Sequence, residues 1–185
     1  PLEEIKEMKR EEFEKAAEII GAEARILDFD ECPLKIDENR LLTIVDIVRE
    51  IKPDIILTNW IRDWLNHDHE VAGEYVTQAC AYAGCQGLET RNPPYKISNI
   101  YYYVVNPICF APEIGFTPDF YVDIESTINL KIKALCEFKT QRFTESYMNE
   151  FFRSVHYFLG YRSSAKYAEA FKRIWRPPRA YEYLR

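Results

Sequence analysis

The sequence predicts an α/β fold with a mostly parallel sheet. Helical and strand patterns alternate through the first half of the chain, which is the rhythm of an α/β fold. The apolar run "DIILTN" at residues 54–59 is typical of a parallel strand that is covered on both faces. We therefore expect a Rossmann-like, three-layer α/β/α domain over residues 1–185, with residues 176–185 as a surface extension.

Periodic apolar residues define the predicted helices. In the opening stretch they recur at steps of three and four residues from Leu2 to Ile20, the spacing of one helix face. The second helix is expected to begin after the capping residue Asp37 and to end before Pro53, because a residue preceding proline avoids the helical conformation. The predicted helices span residues 2–20, 38–51, 71–83, 125–139, 145–159 and 166–174.

Short runs of aromatic and β-branched residues define the predicted strands. Alternation along "NIYYYVV" places neighbouring rings of Tyr101 to Tyr103 on opposite faces, so that some can line a cleft while others pack in the core. The predicted strands span residues 24–29, 54–59, 99–105 and 119–124.

The composition excludes several classes of partner. With 24 basic and 30 acidic residues the net charge is −6, which gives no basic field for nucleic acid. No apolar run is long enough to span a membrane. We expect a cytoplasmic protein that acts on a small molecule. Its cysteines lack a CxxC spacing and are expected to be buried thiols: Cys32, Cys80, Cys85, Cys109 and Cys136.

The chain begins at Pro1, inside a helical pattern and without a methionine, so we expect an amino-terminal segment to be absent from it. Loss of a central strand would expose a sheet edge and apolar surface, and the 185-residue form is therefore expected to self-associate as a homo-oligomer.

The cluster "LNHDHE" holds the main candidates for chemistry. It follows the predicted strand at residues 54–59, and ligands of open α/β sheets gather beyond the carboxyl ends of strands. An imidazole beside a carboxylate is a common metal-binding arrangement, which favours His67 or His69 with Asp68. The alternative is that Asp68 caps the following helix. His156 is expected to be a packed histidine, and Asp123 a helix cap.

Four stretches follow one another between Leu2 and about Trp175: "KREEFEKAAEIIGA", "KPDIILTN" followed by "NHDH", "YVDIESTINLKIKALCEFKTQ" and "KYAEAF". Together they resemble the LmbE-like, or PIG-L, superfamily of zinc-dependent N-acetylglucosaminyl deacetylases. The resemblance implies that His69 binds Zn²⁺, or another divalent metal, and that Asp68 is the catalytic carboxylate beside it.

The same resemblance implies that the other ligands and the catalytic base come from an Ala-His-Pro-Asp-Asp motif, which these 185 residues do not contain. The family's first loop histidine falls on Asn66, and His67 is a candidate to compensate for it. An asparagine at this position resembles the 4-oxalomesaconate hydratase branch of the superfamily.

Substrate contacts are expected elsewhere. Lys9 or Arg10 stands at the family's arginine position, with a solvated helix charge as the alternative. Glu31 is a loop acid that either contacts substrate or only forms a turn. The resemblance thus predicts a zinc-dependent hydrolase that deacetylates an N-acetylated sugar or a related amide. The alternatives are a hydratase or lyase acting on a small unsaturated carboxylate, and a truncated, non-catalytic domain.

Overall fold

The structure is a computed structural model that describes residues 2–29, 32–105, 115–141 and 144–174. Helices and strands alternate from the second helix to the second strand, whereas the strand predicted between the first two helices is absent from the described residues. The helices are α1 (Leu2–Ile20), α2 (Glu38–Ile51), α3 (His67–Ala83), α4 (Ile128–Leu135) and α5 (Glu145–Ser163), with a 3-10 turn at Lys139–Gln141. The strands are β1 (Ile56–Asn59), β2 (Ile100–Tyr103), β3 (Phe120–Asp123) and β4 (Ala168–Arg173).

The four strands form one mixed sheet in the order β1-β2-β4-β3. Strands β1 and β2 are parallel, with Ile56 opposite Ile100 and Asn59 opposite Tyr103. Strand β4 runs antiparallel to β2, with Tyr102 opposite Lys172. The predicted α/β class is confirmed, whereas the expectation of a mostly parallel sheet is wrong.

The last strand occupies a segment that the sequence predicts to be a helix. Residues 166–174 contain β4, and its alternate residues Ala168 and Ala170 are both buried. Alanine has the highest helix propensity, so "KYAEAF" favours a helix when it is considered alone. In the folded chain, pairing within the sheet outweighs this local preference.

A second correction concerns residues 24–29, which are not a strand. The short apolar run in "ARILDF" suggested burial, yet Ile26 is exposed. Short apolar runs do not distinguish strands from irregular segments, because they hold too few residues to show a period.

The chain forms two compact units. One comprises Pro1–Asp28 and Tyr121–Ala170, and the other comprises Phe29–Phe120 and Phe171–Arg185. The single domain expected over residues 1–185 stays a prediction, and the extension at 176–185 lies outside the described residues.

The first unit has a core between α4 and α5. Ile128, Ile132 and Met148 are buried there, and Ile124 precedes α4 in the same cluster. Glu12 on α1 is also buried, and its carboxylate accepts hydrogen bonds from the backbone N–H and the hydroxyl of Thr140, at 2.9 and 2.6 Å. This contact attaches the 3-10 turn to α1.

The second unit packs α2 and α3 together. Val45 and Val48 of α2 form a buried cluster with Ala79 and Ala83 of α3, and Ile56 of β1 packs against it. Burial of these side chains removes apolar surface from water and holds both helices beside β1.

A buried arginine organises the segment that follows α3. The Arg49 guanidinium is almost fully buried and donates to the carbonyl oxygens of Ala83 and Cys85 at 3.1 and 2.7 Å. It also donates to the carbonyl of Leu88 at 2.9 Å. A single side chain therefore satisfies several backbone acceptors at the end of α3.

Asp46 holds the next part of the same segment. It is buried and accepts hydrogen bonds from the Asn92 backbone and side-chain nitrogens and from Arg91 Nε. Burial alone would raise the pKa of Asp46, but the bonds from Asn92 and Arg91 lower it to about 2.

The cysteines are less buried than expected. Cys80 is buried, whereas Cys32 and Cys85 are exposed, because Cys32 lies in a loop and Cys85 follows the end of α3. Cys109 lies outside the described residues. Among the helices that the structure describes, none is long and apolar enough to cross a membrane.

Candidate metal centre

Helix α3 begins inside the "NHDH" cluster, four residues earlier than predicted. Asn66 is the residue before the first turn, with extended backbone angles (φ −151°, ψ 102°), and its side-chain oxygen accepts from the backbone N–H of Asp68 at 3.0 Å. This N-cap places His67, Asp68 and His69 in the first helical turn, where successive side chains point in different directions.

The cluster lies where the topology predicts a ligand site. Strand β1 ends at Asn59, and the chain then runs through residues 60–66 into α3. Because β1 and β2 are parallel, their carboxyl ends meet at the same edge of the sheet. A small pocket lies at this edge; its lining residues are Asn59, Trp60, Arg62, Asp63, His69, Val104 and Val105.

His69 has a polar partner at each ring nitrogen. Its Nδ1 lies 2.8 Å from Oδ2 of Asp63, and its Nε2 lies 3.1 Å from the side-chain nitrogen of Asn66. The His69 side chain is 26% exposed and that of Asp63 only 4%. The ring is therefore held from the protein side by a buried carboxylate, while part of it reaches the surface.

Asp63 is itself fixed by the backbone around it. Its Oδ1 accepts from the N–H groups of Leu65 and Asn66, at 2.9 and 3.2 Å. Its own N–H donates to Oε1 of Glu70 at 2.7 Å. These bonds fold residues 63–66 into a tight turn that presents the carboxylate to His69.

His67 belongs to a separate pair. Its Nδ1 lies 2.8 Å from Oε2 of Glu70, and its side chain is 74% exposed. His67 and His69 thus have different carboxylate partners, Glu70 and Asp63. The roles predicted for His67 and Asn66 in catalysis stay predictions.

Asp68 contacts another loop. Its two carboxylate oxygens accept from the backbone N–H groups of Cys32 and Leu34, at 2.7 and 2.9 Å. Both bonds lower the pKa of Asp68 below its ordinary value, and the bond from Cys32 has the larger effect. The expected carboxylate beside His69 was Asp68, whereas the one in contact with its ring belongs to Asp63; the catalytic role of Asp68 stays a prediction.

The predicted substrate contacts belong to other segments of the chain. Lys9 and Arg10 are on α1, in the other compact unit, and Arg10 pairs with Glu7 at 3.8 Å. Glu31 lies outside the described residues. Substrate roles for all three stay predictions.

The donor chemistry of His69 fits one ligand of a zinc ion. Metal-binding histidines commonly donate one ring N–H to a carboxylate and bind the metal through the other nitrogen, as the contact with Asp63 allows. A catalytic zinc requires about three protein ligands. The described ranges contain no group of three His, Cys, Asp or Glu residues that could hold a metal. His69 would therefore be one ligand of an incomplete set among the described residues.

Comparisons with known proteins agree with the family resemblance. The PIG-L family, described as GlcNAc-PI de-N-acetylase, matches residues 1–80. A 4-oxalmesaconate hydratase from Pseudomonas putida is 26% identical over 131 residues, which cover 71% of this chain and 50% of that protein. The chain thus spans about half the length of this curated relative. The predicted resemblance to the PIG-L family is confirmed.

Solved structures show the same fold. The 4-carboxy-2-hydroxymuconate hydratase GalB of Pseudomonas putida has a TM-score of 0.80 at 24% identity, covering 98% of this chain and 76% of that one. A diacetylchitobiose deacetylase of Pyrococcus horikoshii has a TM-score of 0.74 at 21% identity, covering 90% and 63%. A conserved protein of Thermus thermophilus has a TM-score of 0.79 at 20% identity, covering 97% and 78%.

Proposed function

We propose that this PIG-L-like chain belongs to a metal-dependent enzyme that uses water to transform a small molecule, with removal of an acetyl group from an N-acetylated sugar or related amide as the leading reaction. The observation that carries the proposal is the His69 ring. It stands at the carboxyl end of a parallel strand pair, with a buried carboxylate on Nδ1 and Nε2 directed toward the side chain of Asn66.

The residues of the site would have different roles in the reaction. When bound, a zinc ion lowers the pKa of water toward neutrality and polarises a substrate oxygen. His69 would contribute one ligand, and Asp63 would hold its ring. The aromatic side chain of Trp60, packed edge-on against Tyr102 and Phe116 at 5.1 and 5.6 Å between ring centroids, would limit the access of bulk water to the pocket.

A hydratase is the second candidate, and Asn66 favours it. The side chain of Asn66 faces the Nε2 of His69, where a histidine of the deacetylase pattern would be expected to assist the reaction. An amide cannot transfer a proton as an imidazole can, because it does not titrate near neutral pH. The curated relative is also named a hydratase. In this candidate, water adds to the double bond of a small unsaturated carboxylate.

The experiment compares both reactions in the protein expressed from its complete gene and loaded with zinc. N-acetylglucosamine conjugates are assayed for released acetate, and unsaturated dicarboxylates for loss of their ultraviolet absorbance. Acetate release supports the deacetylase, and hydration alone supports the second candidate. If a protein that holds zinc catalyses neither reaction, the proposal is contradicted for these two substrate classes.

The matched pair His69→Ala and His67→Ala tests the metal assignment in the same protein. The two histidines are two residues apart and each contacts its own carboxylate. We expect His69→Ala to lose metal content and activity together, because a ligand is removed. His67→Ala should retain its metal. Equal metal content in the His69→Ala variant and the unmodified protein would contradict the assignment.

A further inference from the structure

We infer that Asp63 is a positioning residue that holds the His69 imidazole in one tautomer, with the proton on Nδ1 and the free electron pair on Nε2. A neutral histidine can carry its proton on either nitrogen, and only the nitrogen without it can bind a metal. The use of this tautomer for metal binding rests on the function proposed above, whereas the tautomer itself is a property of the metal-free chain.

The first ring nitrogen is assigned by Asp63. A carboxylate oxygen accepts hydrogen bonds, and Oδ2 of Asp63 lies 2.8 Å from Nδ1 of His69. The ring must therefore donate from Nδ1. Asp63 is buried, with 5% of its surface exposed, so little water is available to take its place as acceptor.

The second ring nitrogen is assigned independently by Asn66. The side-chain oxygen of Asn66 accepts from the backbone N–H of Asp68 at 3.0 Å, which fixes which end of the amide is the nitrogen. That nitrogen lies 3.1 Å from Nε2 of His69 and can only donate. Nε2 must therefore accept, in agreement with the assignment of Nδ1.

The same geometry predicts what happens in the isosteric variant Asp63→Asn. Oδ1 of Asp63 accepts from the backbone of Leu65 and Asn66. In the variant the amide oxygen is expected to keep that position, because an amide nitrogen there would face two donors. The amide nitrogen then takes the place of Oδ2 and donates to Nδ1 of His69. The ring proton moves to Nε2, which displaces the Asn66 amide nitrogen from that atom, and the electron pair that a metal needs is lost.

The test is nitrogen NMR of the metal-free protein with ¹⁵N-labelled histidine, recorded at about pH 8, where an ordinary histidine is neutral. In the unmodified chain we expect the long-range correlations of His69 to show a protonated Nδ1. In Asp63→Asn they should show a protonated Nε2. His156 serves as an internal reference for a protonated Nδ1, because that nitrogen lies 2.9 Å from the carbonyl oxygen of Ala168. His67→Gln removes one set of signals and completes the assignment.

Asp46→Asn is the matched control. Asp46 is as buried as Asp63 and also accepts hydrogen bonds from backbone and side-chain nitrogens, but its partners are Asn92 and Arg91 rather than a histidine. Its substitution should lower stability and leave the His69 tautomer unchanged. A His69 tautomer that responds equally to both variants would overturn the inference, because the effect would then be general.

A protonated Nε2 on His69 in the unmodified protein also overturns the inference, and this measurement needs no variant to fold. Zinc titration of the protein from its complete gene, on the same signals, separates the inference from the proposed function. An Nε2 that is free of protons but does not shift on addition of zinc contradicts the metal role and leaves the assignment of Asp63 in place.

Discussion

Gly73 lies against the carbonyl of Asn59: a Cβ added to Gly73 would stand 2.3 Å from that oxygen. The contact joins α3 to the end of β1, and His69 lies one helical turn before Gly73 on α3. Any larger side chain must push the helix away from the strand. The absence of a side chain at Gly73 therefore helps to set the distance between His69 and the edge of the sheet.

Gly73→Ala is expected to destabilise the protein by about 1–3 kcal/mol, the usual cost of an extra group in a packed interior. Thermal unfolding measures it. Gly87→Ala is the matched control, because a Cβ at Gly87 meets nothing within 4 Å. The control should keep or slightly raise the unfolding temperature. If the two variants unfold at the same temperature, the close contact between Gly73 and Asn59 does not affect stability.

Arg49→Met is expected to lower the free energy of unfolding by at least about 3 kcal/mol, because it leaves several buried carbonyl oxygens without a donor. Those carbonyls include Ala83, Cys85 and Leu88. Urea unfolding gives the value. Arg10→Met serves as the control, since the Arg10 side chain is 48% exposed and its ion pair with Glu7 contributes little. A loss below about 1 kcal/mol for Arg49→Met would show that these hydrogen bonds contribute little to stability.

Stability should fall as the pH drops below about 6.5, the ordinary pKa of histidine. His156 is buried, donates from Nδ1 to Ala168, and has no partner for Nε2 among the described residues. Burial, and then the positive charge of Lys131, lower the pKa of His156, although the Ala168 bond and Glu169 act in the opposite direction. The unfolded chain consequently binds a proton more readily than the folded one as the pH falls through 6.5.

His156→Leu removes this titration, so its free energy of unfolding should depend less on pH below about 6.5. Tyr157→Phe, at the exposed neighbouring position on α5, is the control and should keep the slope of the unmodified chain. Urea unfolding at several pH values provides the comparison. An unchanged slope in His156→Leu would assign the pH dependence to other groups.

Much of the second unit could be predicted from local patterns. The predicted bounds of the second helix agree with α2 at Glu38–Ile51, because Asp37 caps it and Pro53 follows it closely. The cluster that contains His69 was placed correctly at the end of β1, since the topology of parallel strands decides that position. Both predictions depend on residues that are close together in the sequence.

The partner of His69 was not found from the sequence. Asp68 is its direct neighbour, but in the first turn of α3 it faces Cys32 and Leu34 instead. Asp63 lies six residues before His69, across a turn with no period that would predict the contact. One available signal was that "RDWLN" places Asp63 three residues before the N-cap Asn66. The Asp63 carboxylate accepts a hydrogen bond from the Asn66 backbone N–H.

Contacts between residues distant in sequence were also missed. Glu12 accepts from Thr140, and Arg49 donates to the segment after α3. Both residues read as ordinary helix charges, because a sequence shows charge but not burial. Strand β4 was missed for a similar reason: its alternating alanines also suit a helix, and only its place in the sheet distinguishes the two.

The most direct measurement is anomalous diffraction at the zinc edge, from crystals of the protein expressed from its complete gene and grown with zinc. We expect an anomalous peak about 2.0–2.1 Å from Nε2 of His69, with Nδ1 still bonded to Asp63. The Asn66 amide must then move away from Nε2. A peak on Nδ1 of His69, or on His67 with His69 unchanged, would show that Nε2 of His69 is not the metal ligand.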